Sequence, residues 1–244
     1  MSQEEEKQES NPPIEENKNE PTGDEPIEII QESSTVTDLI FKIIVIGDSG
    51  VGKSSLTKRA AKNSFEDDQM STIGFEFFTI NCKMNNLEIR LQIWDTCGQE
   101  AYRSLVKNFY RNASLAIITY SIDSEESFSH IESWIQELKV NSNPDIKLFL
   151  VGCKSDLEEH RKVLFESAKE FAKNYQMSLC METSAKTGNK AVEVFTEAVR
   201  VLYKDYLKYK DRVEPRTSSC TSEAMMDNIT LESGNGKNKK KCAC

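Results

Sequence analysis

The clearest chemical signal in the sequence is a glycine-rich segment that ends in lysine and serine. Gly47–Ser54 has the spacing G-x-x-x-x-G-K-S of a phosphate-binding loop. Its glycines let backbone N–H groups wrap around phosphates, and a following helix directs its positive end at them. Lys53 would reach the outer phosphates, and Ser54 would hold Mg²⁺ through its hydroxyl. The residues predicted to form this nucleoside triphosphate site are Asp48, Ser49, Gly50, Val51, Gly52, Lys53, Ser54 and Ser55.

Three later segments place polar residues directly after apolar runs. In Trp94–Glu100 the carboxylate of Asp95 can reach the Mg²⁺ shell, while Cys153–Asp156 and Glu182–Lys186 end two other runs. Any one of these segments alone could be an ordinary loop. Because ligands bind beyond the carboxyl ends of parallel strands, the segments together predict one site at one edge of a sheet.

The elements that position these segments are short apolar runs alternating with helical patterns. Phe41–Ile46, Leu115–Tyr120 and Leu148–Val151 are almost continuously apolar, which is typical of parallel strands covered on both faces. Leu87–Asp95 alternates instead and follows Phe77–Met84 across a plausible Asn-Asn hairpin turn. With a last short strand near residues 178–182, the pattern predicts one α/β domain. Its sheet is doubly wound and mostly parallel, with an antiparallel hairpin at its edge.

Two helices have recognisable sequence patterns. Asp123 and Glu126 have the spacing of a capping box ahead of a periodic apolar face that runs to Leu138. Residues 191–209 repeat apolar side chains every three or four positions, which predicts a long closing helix. The predicted domain spans residues 39–210.

These segments together resemble a small GTPase of the Ras superfamily, and specifically the Rab family. Further marks are Ser71–Phe77, which matches a first switch, and Phe109–Arg111, which follows a second. The resemblance implies the P-loop GTPase fold, bound GTP or GDP, and Mg²⁺ held by Ser54, Thr72 and Asp95. It covers residues 39–210 and the extreme C-terminus.

The resemblance also implies roles for residues in the two switches. Thr72 would complete the Mg²⁺ shell, Gly98 would bond the third phosphate through its backbone, and Gln99 would orient the attacking water. Phe65 would stack edge-on against the base, although it could also be an apolar loop anchor. Where the family has Ala-Gly-Gln-Glu-Arg-Phe, this chain has Cys97–Tyr102. The change to Ala101 removes a charge from a surface that partners read, so it bears on partner choice more than on chemistry.

The base would be selected by the two loops after the later strands. Guanine offers two donors on one side, which the Asp156 carboxylate can accept together, and a carbonyl that the backbone of Ala185 can bond. Discrimination of this polar kind reaches on the order of 10⁴ or more. Lys154 would lay its stem along the base, and Ser184 and Lys186 belong to the same predicted loop as Ala185.

Cys153 departs from the family pattern, which has an asparagine at this position. That asparagine would contact a ring nitrogen common to both purines and tie its loop to the phosphate loop. One neutral hydrogen bond contributes about 0.5–1.5 kcal/mol, and Cys supplies only a weak donor. We therefore expect retained guanine selectivity and faster nucleotide loss. Two alternatives stay open: a Rab-like scaffold that no longer exchanges nucleotide, and an ATP-using P-loop enzyme.

The two ends of the chain differ in composition from its middle. Residues 1–38 carry twelve acidic and two basic side chains and few large apolar groups, which predicts a disordered acidic arm. The rest of the chain is nearly neutral, without the concentrated basic face of a nucleic-acid binder. Seven cysteines without a CxxC pair argue against a disulfide framework and favour a reducing compartment. The start of the sequence does not resemble a secretory signal, and no uncharged stretch is long enough to span a bilayer.

The last residues predict attachment to a membrane through lipid. Residues 211–244 are polar and end in Cys242-Ala243-Cys244 behind several lysines. The pair of cysteines resembles the doubly geranylgeranylated Rab terminus, and two lipid chains hold a membrane where one binds only marginally. A metal-binding pair or an inert tail are the other readings.

The resemblance further implies a location and a set of partners. The expected location is the cytoplasmic face of an endomembrane compartment, with a cytosolic pool. The expected partners are effectors, an exchange factor, a GTPase-activating protein, a prenylation escort and a GDP-dissociation inhibitor. The predicted activity is slow GTP hydrolysis that regulates vesicle trafficking.

Overall fold

The computed structural model of the chain describes residues 26–30, 37–67, 72, 74–98 and 109–213. The strands are β1 Glu28–Ile30, β2 Leu39–Gly47, β3 Phe75–Met84, β4 Leu87–Thr96, β5 Leu115–Ser121, β6 Lys147–Cys153 and β7 Leu179–Glu182. The helices are α1 Lys53–Lys62, α2 Glu125–Ser129, α3 Ile131–Asn141, α4 Phe165–Asn174 and α5 Ala191–Val213. Within these described residues the strands form one sheet in the order β1-β3-β4-β2-β5-β6-β7.

The sheet confirms the predicted fold class. Strands β4, β2, β5, β6 and β7 are parallel neighbours, and β3 pairs antiparallel with β4. The hairpin turn between β3 and β4 has positive φ at both Asn85 (51°) and Asn86 (62°). That conformation matches the turn type that suits the twist of paired strands, and asparagine tolerates it better than most residues.

Helices cover both faces of the sheet, as a doubly wound fold requires. One core cluster packs α1 and α5 against one face through residues such as Leu56 and Phe195. The other packs α3 and α4 against the opposite face through residues such as Trp134 and Ala168. Burial on both faces explains why β5 is apolar along nearly its whole length. Among the described helices, none is long and apolar enough to cross a bilayer.

Strand β1 corrects the expectation that residues 1–38 form a disordered arm outside the fold. Glu28–Ile30 pairs antiparallel with β3, with Glu28 opposite Lys83 and Ile30 opposite Asn81. Ile27 packs against the hydrophobic core, and Asp38 accepts a hydrogen bond from the backbone N of Glu88 at 2.7 Å. This short strand forms because β3 offers an unpaired edge, which local composition does not reveal. Residues 1–25 and 31–36 lie outside the described residues.

The helical region after β5 also differs from its prediction. The cap of α2 is Ser124, whose hydroxyl accepts from the backbone N of Ser127 at 3.2 Å, and not Asp123. The Asp123 carboxylate instead accepts a hydrogen bond from the hydroxyl of Ser121. The chain then breaks at His130, so the predicted single helix is two. In the closing helix Tyr209, expected on the apolar face, is 67% exposed.

Candidate functional site

A cavity of about 370 Å³ lies beyond the carboxyl ends of the parallel strands. It is lined by residues from every segment that the sequence singled out, together with the start of α1. The predicted site residues in its wall are Ser49, Gly50, Gly52, Lys53, Ser54, Ser55, Phe65, Thr72, Gly98, Cys153, Lys154, Asp156, Ala185 and Lys186. Asp95 and Ser184 are buried behind this wall. The fold therefore gathers residues that are up to about 140 positions apart in the chain.

The phosphate-binding loop connects β2 to α1 through backbone conformations that favour glycine. Gly47, Gly50 and Gly52 have φ values of 141°, 76° and 113°. A Cβ on Gly47 would lie 2.3 Å from the carbonyl oxygen of Thr119, so a side chain cannot be accommodated there. A Cβ on Gly98 would lie 2.3 Å from the backbone N of Ser49, which brings the end of the β4 segment into contact with the loop. Glycine is thus required where these two backbones meet.

Lys53 lies inside this loop with its charge directed at backbone oxygens. Its Nζ donates to the carbonyl of Gly47 at 2.9 Å and to that of Asp48 at 2.6 Å. Burial lowers the pKa of the Lys53 ammonium from its ordinary value, while Asp95 opposes that shift. Lys53 is 5% exposed, so its ammonium lies at the N-terminus of α1 where few water molecules can compete for hydrogen bonds.

Three oxygen-bearing side chains meet beside the loop. The Ser54 hydroxyl lies 2.7 Å from that of Thr72, and it also bonds the Asp95 carboxylate. The second carboxylate oxygen of Asp95 is buried and has no hydrogen-bond partner in the described structure. Burial raises the pKa of Asp95 to about 6. A buried carboxylate oxygen without a donor next to two hydroxyls fits a hard divalent cation such as Mg²⁺, which prefers oxygen ligands.

Two predicted residues of the loop turn their side chains away from the cavity. Val51 is buried in the protein. The Asp48 carboxylate accepts from the indole Nε1 of Trp134 at 2.9 Å and pairs with the Nδ1 of His130 at 2.6 Å. These contacts fasten the phosphate-binding loop to the start of α3. They could not be found from the sequence, because nothing local marks His130 or Trp134 as partners of a residue more than 80 positions away.

The opposite end of the cavity contains Asp156 in a fixed orientation. Its Oδ1 accepts from the Ser184 hydroxyl at 2.5 Å, and that hydroxyl oxygen in turn accepts from the backbone N of Thr187 at 3.1 Å. Lys154 stands between the two ends with a positive φ of 62°. The backbone N of Ser155 donates to the carbonyl of Thr183 at 3.0 Å, so the two loops after β6 and β7 are joined.

Cys153 is packed between the two ends of the cavity. Its Cβ lies 3.2 Å from the position that a Cβ on Gly52 would take, so β6 and the phosphate-binding loop are in close contact. Burial raises the pKa of the Cys153 thiol to about 12, so it is the neutral S–H at physiological pH. The buried hydroxyl of Thr183 meets this thiol, which is a weak hydrogen-bond partner.

Arg59 is a residue of this region that the sequence did not single out. From α1 it donates through Nε to the carbonyl of Ala185 at 2.6 Å and through Nη2 to that of Lys186 at 3.0 Å. Its guanidinium also lies over the ring of Phe65, 5.9 Å from the ring centre. The sequence carries no signal for these contacts, since they join positions 126 and 127 residues apart.

An aromatic surface lies where β3 and β4 approach Phe109. It consists of Phe75, Phe77, Trp94 and Phe109. The ring centres of Phe75 and Phe109 are 4.4 Å apart, and those of Trp94 and Phe109 are 5.0 Å apart. Phe75 and Phe77 remain 48% and 46% exposed. Exposed apolar rings that cluster in this way are typical of surfaces that bind other proteins.

Some predicted residues lie outside the described residues. These are the proposed water-positioning Gln99, the neighbouring Ala101, and the two C-terminal cysteines, Cys242 and Cys244. Their roles stay predictions.

Comparison with known proteins gives consistent matches. The model of the Ras family matches residues 42–204. "Ras-related protein Rab-11B" of Dictyostelium discoideum is 42% identical over 173 residues, which cover 71% of this chain and 78% of that protein. "Ras-related protein Rab5" of Nicotiana tabacum is 44% identical over 165 residues, covering 68% and 82%. "Ras-related protein RABA1b" of Arabidopsis thaliana is 38% identical over 208 residues, covering 85% and 94%.

Proposed function

This chain belongs to the Ras family as a small GTPase of the Rab type, and on that premise we propose how its cavity performs the work of a nucleotide switch. The cavity holds GTP or GDP, with the phosphates at the Gly47–Ser54 loop and the base between Lys154 and the loop after β7. The observation that carries the proposal is the fixed Asp156 carboxylate, held by Ser184 at 2.5 Å at the far end of a cavity that begins at Lys53.

The phosphate end binds charge through backbone N–H groups and Lys53. Lys53 donates to two loop carbonyls, which keep its ammonium at the loop where the phosphate oxygens would lie. Ser54, Thr72 and Asp95 would hold Mg²⁺, which neutralises charge that develops on the phosphates during transfer. Thr72 belongs to the first switch, so its contact ties that segment to the nucleotide state.

Hydrolysis needs a water held in line with the third phosphate. We assign its orientation to Gln99, the residue after Gly98, whose backbone contacts the phosphate-binding loop. As in the family it resembles, turnover should be slow until an activating protein supplies positive charge at the transition state.

The base end selects guanine by the chemistry of Asp156. Its carboxylate accepts from the ring N–H and the exocyclic amine of guanine, whereas adenine would face it with an acceptor and no amine. The Ser184 hydroxyl fixes this carboxylate before the base arrives, so less conformational freedom is lost on binding. Phe65, in the cavity wall, would pack edge-on against the base.

The output of the switch is a change in surface that other proteins read. The aromatic surface of Phe75, Phe77, Trp94 and Phe109 includes the end of the first switch segment and is suited to bind effectors when GTP orders the switches. The proposed regulators are an exchange factor, an activating protein, a prenylation escort and a GDP-dissociation inhibitor.

Membrane recruitment is assigned to the end of the chain. Geranylgeranyl groups on Cys242 and Cys244, with the preceding lysines near an anionic leaflet, would hold the protein on the cytoplasmic face of an endomembrane. The function that follows is regulation of vesicle trafficking by a GTPase that cycles between membrane and cytosol.

A change of base preference tests the assignment of the site. Replacing Asp156 with Asn turns one acceptor oxygen into an amide donor, which suits the carbonyl that xanthine carries in place of the guanine amine. Asp156→Asn should therefore weaken GDP binding by on the order of 10²-fold or more and strengthen binding of xanthosine diphosphate. Isothermal titration with both nucleotides in Mg²⁺ buffer measures this. Equal GDP affinity in the two proteins would place the base elsewhere.

A further inference from the structure

Arg59 connects the phosphate-binding side of the cavity to the base-binding side. It lies on α1, the helix that begins with Lys53, and its guanidinium reaches the loop after β7. There it donates to two consecutive carbonyls, at 2.6 Å to Ala185 and 3.0 Å to Lys186. Its Nη1 donates to the carbonyl and side-chain oxygens of Asn63 at 3.2 and 3.3 Å, so the guanidinium is hydrogen-bonded to both α1 and the loop.

These contacts fix the loop in a specific way. A peptide unit is planar and trans, so holding its carbonyl also sets the direction of the N–H on the other side. The unit between Lys186 and Thr187 is held at both ends, since its carbonyl accepts from Arg59 and its N–H donates to the Ser184 hydroxyl at 3.1 Å. The unit between Ala185 and Lys186 is held at its carbonyl.

The peptide unit before Ala185 is anchored separately. The backbone N of Ser184 donates to the carbonyl of Asn189 at 3.0 Å, and the carbonyl of Ser184 accepts from the backbone N of Gly188 at 2.9 Å. The Ala185 N–H belongs to this unit, so the bond from Gly188 sets its direction within the loop. Arg59 holds the two carbonyls that follow and so fixes the position of the loop against α1.

Cys153 does not supply an equivalent connection. It packs against the phosphate-binding loop, where a Cβ on Gly52 would lie 3.2 Å from its own Cβ, and its thiol is a poor hydrogen-bond donor. That thiol meets the hydroxyl of Thr183, which lies on its own side of the cavity and not on α1. The link between α1 and the loop after β7 is therefore carried by the forked, permanently charged side chain of Arg59.

We propose that Arg59 is a positioning residue that sets the affinity for the carbonyl side of guanine, by holding the loop that carries the Ala185 N–H in place beside the cavity. This inference rests on the proposed guanine site. It assigns the amine side of the base to Asp156, which is oriented by Ser184 independently of Arg59. It also places Arg59 against Phe65, the ring expected at the edge of the base.

The test measures affinity for three nucleotides by displacement of a fluorescent GDP from the full chain in Mg²⁺ buffer. GDP and inosine diphosphate both carry the carbonyl, inosine diphosphate lacks the amine, and ADP lacks both. In Arg59→Ala, GDP and inosine diphosphate should lose affinity by the same factor. Hydrogen bonds to a charged group set that factor at about 10- to 100-fold. ADP affinity should change less than about threefold, because adenine has an amine where guanine has the carbonyl and so cannot accept a hydrogen bond from the Ala185 N–H.

Two further variants make the result specific. Arg59→Lys keeps the charge but cannot fork, so it should show the same nucleotide pattern with a smaller loss. If Arg59→Ala does not fold, Arg59→Lys still tests the proposal. Lys62→Ala removes a charge from the last turn of the same helix, away from the base loop, and should leave all three affinities at their wild-type values.

The outcomes are separable from those of the proposed function. If the wild-type protein binds GDP and Arg59 variants keep its affinity, the inference is wrong while the guanine site stands. An equal loss for GDP, inosine diphosphate and ADP would also overturn it, because that pattern reports a general loosening of the fold. Absence of GDP binding in the wild-type protein would instead refute the guanine site itself.

Discussion

Cys153→Asn should slow the release of GDP, because it replaces a weakly hydrogen-bonding thiol with a carboxamide beside the buried hydroxyl of Thr183. At present the position holds a neutral thiol, since burial raises the pKa of Cys153 to about 12. The Thr183 hydroxyl meets this thiol as a weak hydrogen-bond partner. An asparagine brings two N–H donors and one acceptor, where the thiol offers one weak donor.

The size of the effect follows from the contacts at this position. The carboxamide can make one or two neutral hydrogen bonds that the thiol makes poorly, and each contributes about 0.5–1.5 kcal/mol. Since about 1.4 kcal/mol corresponds to a factor of ten, GDP release should slow by about tenfold. The phosphate-binding loop limits the space on one side, since a Cβ on Gly52 would lie 3.2 Å from that of Cys153. On the other side Cys153 lines the cavity of about 370 Å³, which leaves room for the larger side chain.

The assay is the decay of fluorescence when labelled GDP is chased with excess unlabelled GDP in Mg²⁺ buffer. Cys153→Ala is the matched control, because it removes the thiol without adding a carboxamide, and it should not slow release. The preference for GDP over ADP should hardly move, since the two purines share the ring nitrogen that faces this position. Unchanged release in Cys153→Asn would refute the reasoning, as would a large change in base preference, which would mean that Asp156 does not select the base alone.

Three further changes test other parts of the account. Gln99→Leu should lower single-turnover GTP hydrolysis by tenfold or more while GTP affinity stays near wild type, and equal hydrolysis in both proteins would remove Gln99 from catalysis. Deleting residues 1–25 should leave the free energy of unfolding, measured with urea, unchanged. Deleting residues 1–36 should lower it by about 1–2 kcal/mol, because β1 and its apolar contacts are lost. Equal stability of the two truncated proteins would show that β1 does not stabilise the fold. Changing Cys242 and Cys244 together to Ser should move the protein from membranes to cytosol on fractionation, and changing one should leave weak attachment. A double variant still on membranes would contradict lipid anchoring there.

The sequence was sufficient where local pattern and chemistry coincide. Each predicted strand is present within a few residues of its expected bounds, because strands buried on both faces are apolar throughout and the Asn85-Asn86 turn has its own signature. The cavity wall was also predicted, since parallel strands must bring their carboxyl ends to one edge.

The sequence was insufficient where a contact depends on the assembled fold. Strand β1 exists only because β3 has a free edge, and its acidic surroundings predict disorder. Asp123 and Ser124 are both good caps, and the choice falls to Ser124 because the Asp123 carboxylate is bound to Ser121. Arg59 looks like any cation on an exposed helical turn until the loop after β7 is placed beside it.

The central claim is that this chain keeps a guanine-selective site although Cys153 stands where its family has asparagine. The most direct measurement is competition of GDP and ADP for the wild-type protein loaded with fluorescent GDP, in Mg²⁺ buffer. The account predicts that GDP displaces the probe at a concentration lower than ADP by on the order of 10⁴ or more. Displacement by both nucleotides at similar concentrations would contradict it.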